Sequence, residues 1–182
     1  MKKIMLPVSF LCSYFLFTSC NTATPENYFD IAVLNCNMMQ GFASEGLQRE
    51  LESPTVQMVN GNKDQVEPMK RKEIIDSKIQ FIEPNLEKIK QLKETEDTKD
   101  MLHASAALYE YVIPVYKNEY QQLAKLYDDG ASKEQIQSLE QSIEQKYFPG
   151  FEELFNKLTA AGKLYAEKNN IKVNWDIHTS PQ

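Results

Sequence analysis

The chain has 182 residues, with 26 acidic and 20 basic side chains, a formal net charge of −6 and three cysteines. This length suits one domain and is short for two. Binding to nucleic acid needs clustered Lys and Arg, which an acidic chain of this kind lacks, so we expect no nucleic-acid partner.

The first twenty residues have the anatomy of an export signal. A basic Lys2-Lys3 pair, an apolar run over 4–17 and two small residues precede Cys20. Cys20 stands where a bacterial lipoprotein signal is cut and acylated. We predict a signal peptide over 1–19, with Cys20 lipidated at the start of a tether over 20–24. A plain secretory signal and an uncleaved anchor are the alternatives, although the apolar run is short for a transmembrane helix.

Loss of the signal changes the charge and the cysteine count of the chain. The remaining 163 residues carry 18 basic and 26 acidic side chains, so the net charge is 18 − 26 = −8. Anionic lipid repels such a domain, and membrane attachment would depend on two or more acyl chains. Cys36 would be the one free thiol, which excludes an internal disulfide. We predict a small buried hydrophobic side chain there; pairing between chains or reactivity is the alternative.

The first predicted helix spans about 25–46. Thr24 is a suitable N-cap and Pro25 suits the first helical position. Ser53-Pro54 stops any continuation. The stretch 53–66 reads as an irregular connection with a turn signal at 60–62, and we interpret it as a crossover between helices. Long connections are also often functional.

Three longer helices are predicted over about 67–94, 98–128 and 132–168, because apolar residues recur there at intervals of three and four. Gly130 suits the end of one helix and Ser132 with Gln135 forms a capping box for the next. The fold class we predict is all-α, an antiparallel up-and-down four-helix bundle over 25–170. The tail over 171–182 is expected to fray at its end, and packing back across the bundle is the alternative.

Pro84, Pro114 and Pro149 each fall near the middle of a predicted helix. Interior proline removes a backbone hydrogen bond. Because the apolar spacing keeps its phase across each proline, we predict three kinked helices rather than six short ones. The kinks would lie at a similar height. They would either curve the helices around the core or widen the waist into a ligand site.

Catalytic and metal-binding motifs are lacking in the sequence. Asp100 and His103 share one helix face, but no second carboxylate–histidine pair accompanies them. There is no Cys-x-x-Cys, no Gly-x-Ser-x-Gly and no phosphate-binding glycine loop. We therefore predict no enzyme activity, no metal site and no cofactor.

A stripe of tyrosines on the third predicted helix is the remaining candidate site. Its members are Tyr109, Tyr116, Tyr120 and Tyr127. Such rings are often packed at the edge of a core with the hydroxyl reaching water or a partner. The alternative is a ligand groove for a glycan, lipid or peptide, which Trp175 on the tail could complete.

Over residues 1–21, the chain resembles bacterial lipoproteins with a signal peptidase II type signal. Beyond that signal, it is similar to uncharacterised helical envelope lipoproteins of Bacteroidetes and spirochaetes. This second similarity rests on Tyr28-Phe29-Asp30, on the tyrosine-rich third helix and on the segment 165–170. The resemblance carries no agreed activity. Asn21 is not the Asp that retains some lipoproteins in the inner membrane, and no acidic stretch for surface export follows Cys20.

From these features we expect a cell-envelope protein attached to the outer membrane by acyl chains and facing the periplasm; exposure on the cell surface is the alternative. Its helical domain would be a non-catalytic interaction or scaffold module whose candidate partner is another envelope protein. The alternative function is a carrier or sensor of a small molecule, glycan or lipid in the tyrosine groove.

Overall fold

A computed structural model describes residues 23–59 and 61–175 of the chain. Most of these residues are helical, which confirms the predicted mainly helical class. Two short strands, which were not predicted, form a small sheet beside the helices. The predicted signal peptide, Cys20 and the end of the tail from residue 176 lie outside the described residues. No helix of the described part is long and apolar enough to cross a membrane.

The first predicted helix is divided into three pieces. Helix α1 spans Pro25–Ala32, a 3-10 helix spans Leu34–Met39, and α2 spans Glu45–Glu52. The break follows from the backbone at Gly41 and Ala43, whose φ angles of +83° and +49° are left-handed and end a right-handed helix. The prediction of one helix over 25–46 was wrong for this reason.

The connection predicted to be irregular forms a β-hairpin. Strand β1, Val56–Val59, pairs antiparallel with β2, Asn62–Pro68. Gly61 has a φ of +74°, a conformation that glycine adopts without steric cost, so the predicted turn signal marks the hairpin turn. The register pairs Met58 with Val66, and an irregularity follows Met58.

The longer helices begin and end within four residues of their predicted bounds. Helix α3 spans Arg71–Gln91 and α4 spans Lys99–Val115. A π-helical segment, Tyr116–Tyr120, leads directly into α5, Gln121–Asp128. Helix α6 spans Lys133–Lys168.

Local signals at the helix ends are confirmed. Ser132 and Gln135 form the predicted capping box, each side chain accepting from the other residue's backbone N–H. Gly130 has a φ of +69° after the end of α5. One contact was not predicted: the Asp128 carboxylate accepts from the backbone N–H groups of Arg71 and Lys72 at 3.0 Å each, and so caps the start of α3.

All three interior prolines lie within helices that continue through them, so six short helices are excluded. Pro84, Pro114 and Pro149 are also exposed. Their rings therefore face away from the core and do not line an interior waist cavity. The π-helical segment begins two residues after Pro114, where the regular hydrogen-bond pattern is already interrupted.

Neighbouring helices run in opposite directions. Lys90, near the end of α3, lies 2.9 Å from Glu110 of α4, whereas Asp76, near the start of α3, lies 2.6 Å from Gln121 at the start of α5. The two contacts therefore run in opposite order along the two chain segments. Helix α4 also packs against α6, and Tyr127 after it hydrogen-bonds Glu140 near the start of α6. Buried aliphatic and aromatic residues from all these helices form one contiguous core.

Candidate functional site

The tyrosine stripe lies mainly in the core rather than along a groove. Tyr109, Tyr116 and Tyr120 are each no more than 1% exposed, and Tyr127 is half-buried. Three of the four rings are thus unavailable to a ligand at the surface. The alternative of an open groove along this stripe is corrected: Tyr109 contacts Asn85 of α3, and the rings of Tyr116 and Tyr120 contact Phe42.

Three of the four tyrosine hydroxyls in the stripe have a hydrogen-bond partner. Asn85 Nδ2 donates to the Tyr109 hydroxyl at 2.8 Å, and the backbone N–H of Ala43 donates to that of Tyr120 at 2.9 Å. Tyr127 donates to Glu140 Oε1 at 2.7 Å. Among the described residues, the Tyr116 hydroxyl is buried with no hydrogen-bond partner.

Burial governs the acid–base behaviour of these groups. It raises the pKa of Tyr109, Tyr116 and Tyr120 well above the ordinary tyrosine value, so all three stay neutral. Burial also raises the pKa of Glu140, against the opposing effect of the hydrogen bond from Tyr127. The hydroxyls of Tyr109, Tyr116 and Tyr120 are therefore in their neutral, weakly nucleophilic form.

Trp175 does not complete a groove with the stripe. Its ring is half-buried and meets Phe29 edge-on, with ring centroids 5.8 Å apart. The ammonium of Lys163 lies 5.5 Å above it. Trp175 therefore joins the end of the described chain to α1; the rest of the tail lies outside the described residues.

His103, considered with Asp100 for metal chemistry, is paired with Glu94. His103 Nε2 lies 2.7 Å from Glu94 Oε2 in an exposed pair. Within the described ranges, no group of three or more His, Cys, Asp or Glu side chains is arranged to hold a metal ion.

Cys36 is a buried, free thiol, as predicted. It is 4% exposed, and burial raises its pKa to about 12. Since the thiolate is the reactive form, this environment makes the side chain a poor nucleophile.

The β-hairpin carries an exposed apolar surface that sequence reasoning missed. Val56, Met58 and Val66 are 58%, 53% and 58% exposed. Val56 and Met58 point to the same side of β1, and Met58 is opposite Val66, so all three side chains share one face. We call these three residues the hairpin face. Its only sequence signal is the short alternation of Val56, Gln57 and Met58.

The opposite face of the hairpin is polar and attached to α3. Gln57 Nε2 donates to Glu73 on α3 at 3.3 Å and approaches Glu67 across the sheet at 3.5 Å. At the base of the hairpin, Arg71 Nε donates to the carbonyl of Leu51 at 3.1 Å. These contacts hold the hairpin with its apolar side outward.

No protein-family model, no curated protein and no solved structure matches this chain.

Proposed function

We propose that this chain is a lipid-anchored protein of the bacterial cell envelope whose helical domain binds another envelope protein without catalysis. The hairpin face carries the proposal. Three aliphatic side chains on one side of a two-stranded sheet are each more than half exposed. Isolated two-stranded hairpins are marginally stable in water, and a partner that covers this face would stabilise it.

The chemistry of the hairpin defines the partner. The sheet of the described residues has two strands, so each strand has one edge without a neighbouring strand. An extended segment can add to such an edge through backbone hydrogen bonds, with its apolar side chains against the hairpin face. The proposed partner is therefore a protein with an exposed, apolar, extended segment.

The hairpin lies at the end of the domain away from the proposed anchor. Near the N-terminus, the Tyr28 hydroxyl donates to the carbonyl of Lys93, after the end of α3. The hairpin precedes Arg71 at the start of α3. A 21-residue helix is about 30 Å long. An anchor at Cys20 would thus hold the hairpin face away from the membrane, where a protein partner can reach it.

The finer fold we propose is an up-and-down four-helix bundle whose first member is broken. Its members would be the α1–α2 segment, α3, the α4–α5 pair and α6. The antiparallel contacts support it: the order of contacts reverses from α3 to α4–α5, and again from α4–α5 to α6. The proposed kinks at the exposed prolines would curve these helices around the core.

The anchor is tested with an alkyne-labelled fatty acid fed to cells that make the chain. Wild type should incorporate the label and sediment with the outer membrane, and Cys20→Ala should lose both properties. Cys12→Ala is the matched control and should retain them. A Cys20→Ala chain that still fractionates with the membrane would exclude lipidation as the means of attachment.

The docking surface is tested by placing a charge on the hairpin face. Val66→Asp should abolish chemical cross-linking to the envelope partner in cells. Leu164→Asp is the control, because Leu164 is an exposed aliphatic residue of α6, 70% exposed, outside the hairpin. Equal losses of cross-linking in the two variants would contradict docking at the hairpin.

A further inference from the structure

Phe42 occupies the centre of a ring of aromatic side chains. It belongs to the connection between the 3-10 helix and α2, yet it is completely buried. Its ring centroid lies 5.4 Å from that of Tyr116, 5.9 Å from that of Tyr120 and 5.0 Å from that of Phe151. We call the space bounded by the rings of Tyr116, Tyr120 and Phe151 the aromatic site.

The backbone that inserts Phe42 is strained. The next residue, Ala43, has a φ of +49°, a left-handed conformation that is costly for a residue with a Cβ. The N–H of Ala43 donates to the Tyr120 hydroxyl, and this bond holds the strained residue against the helices. Strain of this kind is concentrated at functional sites.

The wall of the aromatic site carries a second unfavourable feature. The Tyr116 hydroxyl is buried beside Tyr120 and has no hydrogen-bond partner among the described residues. Buried polar groups are nearly always paired, so an unpaired one needs an explanation. Tyr116 and Tyr120 also begin and end the π-helical segment, a distortion often found at functional sites.

The segment 40–44 makes few hydrogen bonds to the long helices. Its hydrogen bonds are mostly internal or to adjoining residues: Phe42 to Met39 at 3.0 Å, Ser44 to Gly41 at 3.3 Å and Leu47 to Gly41 at 3.1 Å. Within the described part of the chain, its one hydrogen bond to the long helices is that from Ala43 to Tyr120. Breaking that bond would let Phe42 withdraw while the turn remains folded.

We infer that the aromatic site binds a small, uncharged aromatic molecule with one hydrogen-bonding group, and that Phe42 fills it when the ligand is absent. The ligand's ring would take the place of the phenyl ring among Tyr116, Tyr120 and Phe151. Its polar group would pair with the Tyr116 hydroxyl. This ligand site goes beyond the proposed docking function and does not depend on it.

Burial of the site restricts the ligand further. Tyr116 and Tyr120 are each 1% exposed and Phe151 is 8% exposed, so a ligand bound among them is removed from water. Burying an anion without a paired cation is costly, which disfavours an anionic ligand. A phenol should therefore bind and a benzoate of the same size should not.

The test uses the full chain in detergent, with 4-fluorophenol and 4-fluorobenzoate as probes followed by fluorine NMR and with protein-free micelles as the blank. Wild type should bind the phenol saturably, at least tenfold more tightly than the benzoate. Tyr116→Phe should weaken phenol binding at least threefold while raising the thermal midpoint, because it removes an unpaired hydroxyl.

A second variant separates a natural site from an artificial cavity. Phe42→Ala should bind 4-fluorophenol more tightly than wild type, because the ligand no longer has to displace the phenyl ring. Binding to Phe42→Ala with none to wild type would overturn the inference and leave only a cavity made by mutation. Unchanged phenol affinity in Tyr116→Phe, a variant that keeps the ring and the packing, would overturn it as well.

Discussion

The side-chain amide of Asn85 donates a hydrogen bond of 2.8 Å to the hydroxyl of Tyr109, and both residues are buried. The same amide nitrogen donates to the carbonyl of Ile31 at 3.0 Å, and its oxygen accepts from Asn35 at 2.7 Å. One side chain of α3 therefore joins α1, the 3-10 helix and α4. Asn85 is thus a buried polar link between three elements of the fold.

Replacing Asn85 should be costly because its partners would stay buried and unpaired. We expect Asn85→Ala to lower the free energy of unfolding by about 2–3 kcal/mol, measured by urea denaturation. Asn118→Ala is the control, since Asn118 is exposed and donates to the carbonyl of Pro114. A loss for Asn85→Ala no larger than for Asn118→Ala would contradict this role.

Gly150 makes room for Tyr111, whose hydroxyl donates to the carbonyl of Tyr147 at 3.1 Å. A Cβ on Gly150 would lie 2.5 Å from the Tyr111 oxygen and 2.8 Å from its Cζ. Gly150→Ala should therefore destabilise the wild-type chain. In a Tyr111→Ala background the same change should stabilise it by about 1 kcal/mol, because Ala is the better helix former.

This double-mutant cycle is measured by thermal and urea unfolding of the four chains. The sign of the Gly150→Ala effect should reverse with the background. The same sign in both backgrounds would show that Tyr111 is not what requires glycine there.

Asp128 joins the end of α5 to the start of α3. Its carboxylate accepts from two free N–H groups at the positive end of the α3 dipole. Asp128→Ala should lower stability by about 1 kcal/mol. Asp129→Ala provides the comparison, because Asp129 forms an exposed pair with Lys125 of the kind that contributes little. Equal effects of the two substitutions would argue against the cap.

Glu140 should make stability fall as the pH rises. Its pKa is raised above the ordinary 4.5 chiefly by burial, so the folded chain favours the protonated form. This contribution is fully present below pH 4.5 and is lost as the pH rises through the folded-state pKa. The free energy of unfolding of Glu140→Gln minus that of wild type should therefore be larger at pH 8 than at pH 4, as measured by urea unfolding.

Glu134 supplies a control of the opposite sign. Hydrogen bonds at the start of α6 lower its pKa, so its contribution is present above pH 4.5 and lost as the pH falls through the folded-state value. Glu134→Gln should lose stability relative to wild type at pH 8 and not at low pH. Parallel pH profiles for the two variants would refute this assignment.

Sequence reasoning succeeded where the signal is local. Ser132 and Gln135 cap α6 through atoms three residues apart, and the periodic apolar residues keep α3 and α6 continuous across their prolines. The burial of Tyr109, Tyr116 and Tyr120 could not be derived in the same way. Periodicity puts the three rings on one helix face, but it does not say which segments cover that face.

The features missed depend on contacts between distant parts of the chain. Phe42 reaches the tyrosines only because Ala43 takes a left-handed conformation that Tyr120, 77 residues away, stabilises. The hairpin face has a short alternation, and α3 fixes its orientation through Gln57 and Glu73. Neither relationship leaves a repeated pattern in the sequence.

The most direct test of the proposed docking function is photo-cross-linking in living cells with benzoylphenylalanine at Met58. The account predicts one envelope protein joined to position 58, not joined from position 164, and lost when Val66→Asp is added. No adduct at position 58, or the same adducts from position 164, would contradict a partner at the hairpin face.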